Sequence, residues 1–370
     1  MKFSLLVVTT DRLSLVERLL HSLAAQTYGN FEVLLVHGPD CPEGARSTAG
    51  NFPGLDIRLF SSQDHCLSRS RNLALHETTG DIIAFPDDDC VYCPDTLENA
   101  STVFKAHPEA DVLLAVRRDL REDVEEARKY FSCGGSAPSN SPGRGMLPLH
   151  PRLIFQRVTF ARSRLEQAHE RTLPPMREDD LRTRFDTNDA EKLRVKGRPE
   201  QAQGRTLHSR ESISNPVRGG AFRAVNRYSA FRHSGTIVQF YRKQCVKAVG
   251  PFDERLGPGT GLPYGCGEDT DYVLRALAAG FGVYRARSVV VRHAPFSIRD
   301  PGIGAKIEAY ARGRMYLLRK HDLPLWFVLA NIAWPLLCIP GECLRECLAV
   351  ASFRRRMFSA RLSSFLGAAG

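Results

Sequence analysis

A chain of 370 residues, 43% of them hydrophobic, suits one large or two smaller domains with a core to bury, which excludes a wholly disordered, collagen-like or fibrous protein. Ten cysteines are too sparse for a disulfide scaffold and the apolar run after Met1-Lys2 is too short for a secretory signal, so free thiols in a reducing cytoplasm are expected. The net charge of +10 is concentrated: residues 117–235 hold 24 Lys+Arg against 15 Asp+Glu, whereas the rest of the chain holds 27 against 26.

In chain order, Phe3–Val8 reads as a short buried strand. Ser14 is placed to cap a helix whose apolar face is Leu15, Val16, Leu19, Leu20 and Leu23. Phe31–Val36 and Ile57–Phe60 read as strands and Leu67–His76 as a helix. Ile82–Phe85 is a fourth strand, running into Pro86-Asp87-Asp88-Asp89. A helix over Pro94–His107 and a strand over Val112–Val116 follow. This alternation predicts an α/β fold with a largely parallel sheet, whose ligands sit beyond the carboxyl ends of the strands.

Residues 130–233 break the pattern. They are rich in Gly, Ser and Pro over 132–144, then charged and poor in aliphatics over 161–212, and a flexible basic insertion is expected. Order returns with a strand at Thr236–Tyr241, a short helix at Lys243–Val249 and a glycine-rich loop at Gly257–Gly267. A helix over Thr270–Ala279 ends at Gly280, and a strand over Ser288–Val291 leads into Arg292-His293. The expected division is 1–116, 117–235, 236–322 and 323–370. Leu325–Pro340 is apolar, but its sixteen residues fall short of the roughly 20 needed to span a bilayer. With Trp326, Trp334 and the triplet Arg354-Arg355-Arg356, it reads either as a helix lying in a membrane interface or as one packed on the domain.

Three clusters carry chemistry. Adjacent Asp87, Asp88 and Asp89 repel one another at the end of a buried strand, and a hard cation such as Mg²⁺ or Mn²⁺ offsets that repulsion; a solvated acidic turn is the bland alternative. Gly265-Cys266-Gly267-Glu268-Asp269-Thr270-Asp271-Tyr272 places acids at a helix start. They serve there either as dipole complements or, in one case, as a general base. His293 at a strand end is either a metal ligand or a rim histidine. Cys90-Val91-Tyr92-Cys93 has no second pair nearby, so structural zinc is not expected.

The order of these pieces resembles family-2 glycosyltransferases. Leu6-Val7-Val8-Thr9-Thr10-Asp11-Arg12 is similar to that family's opening V-I-P-T-Y-N-R strand, and Ser68-Arg69-Ser70-Arg71-Asn72-Leu73-Ala74 to its A-R-N-x-G region. Gly80–Phe85 followed by Asp87-Asp88-Asp89 is similar to its D-x-D segment. Val249-Gly250-Pro251-Phe252-Asp253-Glu254 and Gly267-Glu268-Asp269-Thr270-Asp271 match its V-G-g-F-D-E and G-E-D-x-D stretches. Val8, Thr10 and Asp11 depart from the pattern. The motif that holds the nucleotide base becomes Val36-His37-Gly38-Pro39-Asp40, so Asp40 or His37 stands in.

The resemblance implies a GT-A fold, a mixed, largely parallel sheet flanked by helices, with a basic insertion and an apolar C-terminal helix added. It implies an inverting transferase that takes a nucleoside-diphosphate sugar, a UDP-sugar first, and a saccharide or lipid-linked acceptor in cell-surface polysaccharide or glycolipid synthesis. Asp89 and His293 would hold the metal. Thr9, Arg12, Asp40, Arg71, Asp87 and Asp88 would bind the donor, Asp269 would be the base, and Glu268 would hold the acceptor or the loop. The expected setting is the cytoplasm, at the inner face of the cell membrane. A metal-dependent nucleotidyltransferase and a non-catalytic nucleotide-sugar-binding relative are the alternatives. Nucleic acid is not expected as a partner, because few aromatics lie between Arg162 and Arg218 to stack on bases.

Overall fold

Seven consecutive residues of nearly unbroken burial, Phe3–Thr9, form the first strand, β1, of a mixed sheet. The computed structural model describes residues 1–119, 222–234, 238–293, 302–337 and 347–367, all within one compact unit. Most of the expected insertion lies outside the described residues. After β1 come α1 (Leu13–Ala24), β2 (Phe31–His37), α2 (Pro42–Gly50), β3 (Ile57–Ser61), α3 (Leu67–Leu75), β4 (Ile82–Ala84), β5 (Cys90–Tyr92), α4 (Thr96–Ala106) and β6 (Val112–Asp119). The later part supplies β7 (Phe222–Ala224), α5 (Ala230–His233), β8 (Gln239–Arg242), α6 (Lys243–Val249), α7 (Glu268–Ala278), β9 (Val283–His293), α8 (Ile303–Lys320), α9 (Leu325–Leu337) and α10 (Cys347–Leu366).

The strand order is β3-β2-β1-β4-β8-β6-β9-β5, with β7 paired to β9. β3, β2, β1 and β4 run parallel, so their carboxyl ends share one rim. β8 is antiparallel to both neighbours, while β6 and β9 run parallel to each other. The pleat divides the strands between two cores. Leu5, Val7, Val33 and Leu35 face α1 and α4, where Val16, Leu19, Leu20, Leu23, Leu97 and Phe104 are buried. Leu6, Leu34, Val36, Ile83 and Phe85 face the core that holds Tyr241, Phe252, Tyr272, Met315 and Leu318. An α/β fold with helices on both faces of a mixed, largely parallel sheet is therefore as expected.

Four local expectations change. α1 starts at Leu13 with Arg12 at the cap position and no side-chain cap bond, so Ser14 lies inside the first turn. β9 begins at Val283, five residues before the expected strand, where it meets β6 and β7. Of the strand expected at Thr236–Tyr241, residues 236 and 237 lie outside the described residues, and the described part forms β8, Gln239–Arg242. Within 117–235, residues 117–119 finish β6, and 222–234 contribute β7 and α5, with Val225 and Phe231 buried.

The C-terminal helices belong to the domain. α9 buries Phe327, Val328 and Ile332 in the core, and Phe358, Leu362 and Phe365 of α10 pack against the same cluster. Among the described residues no helix is long and apolar enough to cross a membrane.

Candidate active site

The rim formed by the carboxyl ends of β1, β2 and β4 collects the acidic triplet. Asp87 makes a lone bridge to Val8, and the Arg18 guanidinium of α1 donates to the Asp89 carbonyl at 2.9 Å, so backbone contacts fix the loop after β4. β5 then turns back and pairs antiparallel with the end of β9, setting Cys90 opposite His293. That pairing brings the last residue of β9 to the triplet, and His293 Nε2 lies 3.0 Å from Asp89 Oδ1.

The three aspartates have different surroundings. Asp88 is buried; Arg12 Nε donates to its Oδ2 at 3.2 Å, and a second bond comes from Arg12 Nη2 to Oδ1. Desolvation raises the Asp88 carboxyl, and Arg12 and the Thr9 hydroxyl pull against it. Asp89 would also be raised by burial, but His293 and Arg12 outweigh that and hold it below the usual carboxylate range. Desolvation, then the charge of Asp269, push Asp87 up to about 7 against the pull of Arg71, although a third of its side chain still meets solvent.

Arg71 connects this triplet to the second acidic element. Its fully buried guanidinium donates to Asp269 Oδ1 at 2.8 Å and reaches Asp87 Oδ1 at 3.4 Å. It lies over the rings of Phe85 and Phe252, with centroids 5.7 and 5.2 Å away. Next to it, the Asn72 amide accepts from the Phe252 N–H at 2.7 Å and donates to the Phe252 carbonyl at 3.0 Å. The Arg-Asn and Phe-Asp-Glu motifs, some 180 residues apart, are thus one clamp, and Phe252 stacks on Tyr272 of α7 at 4.2 Å.

Gly267, with φ of +109°, starts α7 in a left-handed conformation that a side chain would strain. The chain then turns so that Glu268 and Asp269 face different ways. Glu268 is 7% exposed and lies against Gly257, where an added Cβ would come within 3.1 Å of its carboxyl. Burial, reinforced by Asp269, raises Glu268 to about 8, and its Oε2 has no hydrogen-bond partner among the described residues. A carboxyl in that state is protonated at neutral pH. The Asp269 side chain keeps 23% of its exposure and faces Arg71.

Asp271, expected only to complement the helix dipole, is a structural hub missed by sequence reasoning. It is fully buried and meets Lys320 Nζ at 2.6 Å, His321 Nε2 at 2.8 Å and Arg275 Nε at 2.9 Å. Lys320 also reaches Asp253 Oδ2 at 2.7 Å, which ties the end of α8 to α7 and to the Phe-Asp-Glu loop.

The structure joins Thr9, Arg12, Arg71, Asp87, Asp88, Asp89, Glu268, Asp269 and His293 in one continuous group. Asp40 stands apart on the turn after β2, largely exposed and 3.1 Å from His65 Nε2. The buried His37 imidazole contacts the Gly38 carbonyl at 2.8 Å. Arg12 and Arg71 were expected to bind the donor, but in this structure both are engaged with carboxylates. One ligand atom each from Asp87, Asp89 and His293 lie within 4.8 Å of one another. Two carboxylates and an imidazole, crowded by further acids, suit a divalent cation of the Mg²⁺ or Mn²⁺ kind, with Asp87 joining the two residues expected to ligate it.

Residues 4–165 match the model of glycosyl transferase family 2. Two curated proteins are similar over part of the chain. An uncharacterized glycosyltransferase of Haemophilus influenzae is 31% identical over 105 residues, covering 28% of this chain and 35% of the relative. The uncharacterized glycosyltransferase YwdF of Bacillus subtilis is 27% identical over 118 residues, covering 30% and 43%. The chain thus spans less than half the length of each. Among solved structures, the mannosyltransferase PcManGT of Pyrobaculum calidifontis, crystallised with GDP-Man and Mn²⁺, superimposes with a TM-score of 0.55 at 14% identity, over 99% of this chain and 87% of the other. The sheet order and the likeness to PcManGT show a GT-A fold, and residues 4–165 are similar to a glycosyl transferase family 2 domain.

Proposed function

We propose that the protein is an inverting glycosyltransferase that moves a sugar from a nucleoside-diphosphate sugar to an acceptor hydroxyl. The observation that carries the reading is the pairing of an acid-rich rim, able to hold a cation, with a partly exposed carboxylate beside it, Asp269. A cation held by Asp87, Asp89 and His293 would neutralise charge on the leaving diphosphate. The PcManGT complex with GDP-Man and Mn²⁺ supports that choice of donor class and metal by analogy.

The chain's own residues supply the rest. Asp269 takes the proton from the acceptor hydroxyl as its oxygen attacks the anomeric carbon. The bond from that carbon to the diphosphate oxygen breaks, and the nucleoside diphosphate leaves with the electron pair. With one base and no enzyme nucleophile, the anomeric configuration inverts; the same logic separates the two classes of glycosidase. Glu268 is a poor rival as base, being buried and protonated beneath Gly257. Arg71 holds Asp269 in place and links it to Asp87. Thr9, Asp88 and Arg12 form the donor-side wall, with His37 at the end of β2 and Asp40 on the turn after it expected to meet the nucleotide base. The acceptor is a saccharide or lipid-linked sugar of a cell-surface polymer.

The test is incubation of the full chain with UDP- and GDP-sugars, Mn²⁺ and saccharide acceptors, following release of nucleoside diphosphate and the anomeric configuration of the product. Release with inversion supports the reading. Turnover of a nucleoside triphosphate and a sugar phosphate instead would favour a nucleotidyltransferase. Donor binding with no turnover under any condition would favour a non-catalytic relative.

A further inference from the structure

We propose that the outward face of α9, with a cluster of arginines beside it, is a docking surface for an anionic lipid bilayer. The inference concerns a surface away from the acidic rim and does not rest on the transfer reaction.

From Leu325 to Leu337, α9 carries no charged residue. Its inner side, Phe327, Val328 and Ile332, is in the core. Its outer side leaves Leu325 60%, Trp326 54%, Leu329 48% and Leu337 67% exposed. The polar Asn331 faces inward instead, accepting from Arg314 Nε at 2.8 Å and donating to the Phe327 carbonyl at 2.8 Å. A helix that meets water shows the opposite arrangement, with polar groups out and apolar groups in. Leucines and a tryptophan presented outward along three turns fit the boundary between headgroups and acyl chains.

The basic cluster borders this stripe. Tyr228 lies 5.4 Å from Trp326, and Phe231 of α5 lies 5.7 Å from Phe327, so α5 abuts the start of α9. Exposed Arg232 follows Phe231 directly. Beyond it, Arg223 of β7 and Arg285 of β9 are direct cross-strand partners, with exposed Arg287 two residues on along β9. Burial and the charges of Arg287, Arg232 and Arg223 hold the half-buried Arg285 below its ordinary value. Arg227 sits over Tyr228, with 6.0 Å from guanidinium carbon to ring centroid. Like charges opposite one another weaken a sheet pairing, and an anion at the surface would offset it for Arg223 and Arg285. A small free anion would satisfy the arginines and leave the leucines in water. A second copy of the chain would cover the leucines but bring its own positive charge. An anionic bilayer satisfies both.

The test is flotation of the full chain with vesicles of phosphatidylcholine alone or mixed with phosphatidylglycerol. Two double variants at exposed positions are compared, Arg223→Ser with Arg287→Ser and Leu325→Ser with Leu329→Ser, each checked for an unchanged fold by circular dichroism. The wild type should float with the anionic vesicles and much less with the neutral ones. A basic residue near an anionic surface contributes about fivefold, so losing two should weaken binding about 30-fold. The leucine pair should weaken it at least tenfold at any salt concentration. A wild type that stays down with anionic vesicles, or an arginine pair that floats like wild type, would overturn the proposal. So would full release by inorganic phosphate at matched ionic strength, which would make the cluster a small-anion site. Self-association lost in the leucine pair, with no vesicle binding, would make the face a contact between copies.

Discussion

Two groups of carboxylates meet at the start of α7, and their charge balance is opposite. At the rim, Asp87, Asp88, Asp89 and Asp269 share Arg12 and Arg71, with His293 at one side. Behind it, Asp253 and Asp271 are met by Arg255, Arg275 and Lys320, with His321 at one side. The rim has more acid than cation and is partly open to solvent; the inner group has more cation than acid, and Asp271 at its centre is fully buried. Burial would raise Asp271, but hydrogen bonds from His321 and Lys320, with their neighbours' charge, hold it below the usual range. Asp87 on the rim is raised instead. Residues two apart on one helix thus do different work: Asp271 fastens α7 to α8, and Asp269 is left where a substrate can reach it.

Exchanging the two roles should break this comparison in different observables. Asp269→Asn should lower turnover by about 10²–10⁴-fold while donor affinity stays close to wild type, with some loss of melting temperature because the buried Arg71 loses a charged partner. Retained turnover in that variant, with Glu268→Gln inactive, would move the base to Glu268. Asp271→Asn should instead destabilise the fold by about 3 kcal/mol, measured by urea unfolding, because it strips a buried partner from Lys320, Arg275 and His321. A stability change below about 1 kcal/mol would show that the inner group is not a fastening.

Glu268 sharpens the contrast through pH. The folded chain keeps its proton up to about 8, whereas the unfolded chain releases it near the ordinary value of 4.5. Between those values the unfolded state binds fewer protons, so stability should fall as pH rises across that window. Glu268→Gln should flatten the fall in melting temperature, leaving the smaller part that Asp87 adds. An equally steep fall in the variant would assign the titration elsewhere.

Much of this was legible in the chain because the motifs are local. The apolar runs of β1, β2 and β4 specify parallel core strands, and Asp87-Asp88-Asp89 follows the last of them directly. His293 could be matched to Asp89 only through the order of motifs, since the contact depends on β5, a three-residue strand too short to show a period. Arg71 is ambiguous in sequence for a similar reason: its partners lie 16 and 198 positions away, and no spacing rule joins them. Ser14 looked like a cap by propensity, yet Arg12 holds the cap position, its guanidinium drawn to Asp88. Asp271 looked redundant beside Glu268 and Asp269 until Lys320 and His321, fifty residues on, closed around it.

The excess of acid at the rim is the centre of the account, and the melting temperature of the full chain with nucleoside diphosphates tests it most directly. UDP or GDP should raise it in the presence of Mn²⁺, because a ligand that binds only the folded state stabilises it, and should lose that effect in EDTA. Asp89→Asn should fold normally and show no Mn²⁺-dependent shift. An equal nucleotide shift without Mn²⁺, or an undiminished Mn²⁺-dependent shift in Asp89→Asn, would contradict the assignment of this rim as a metal-dependent donor site.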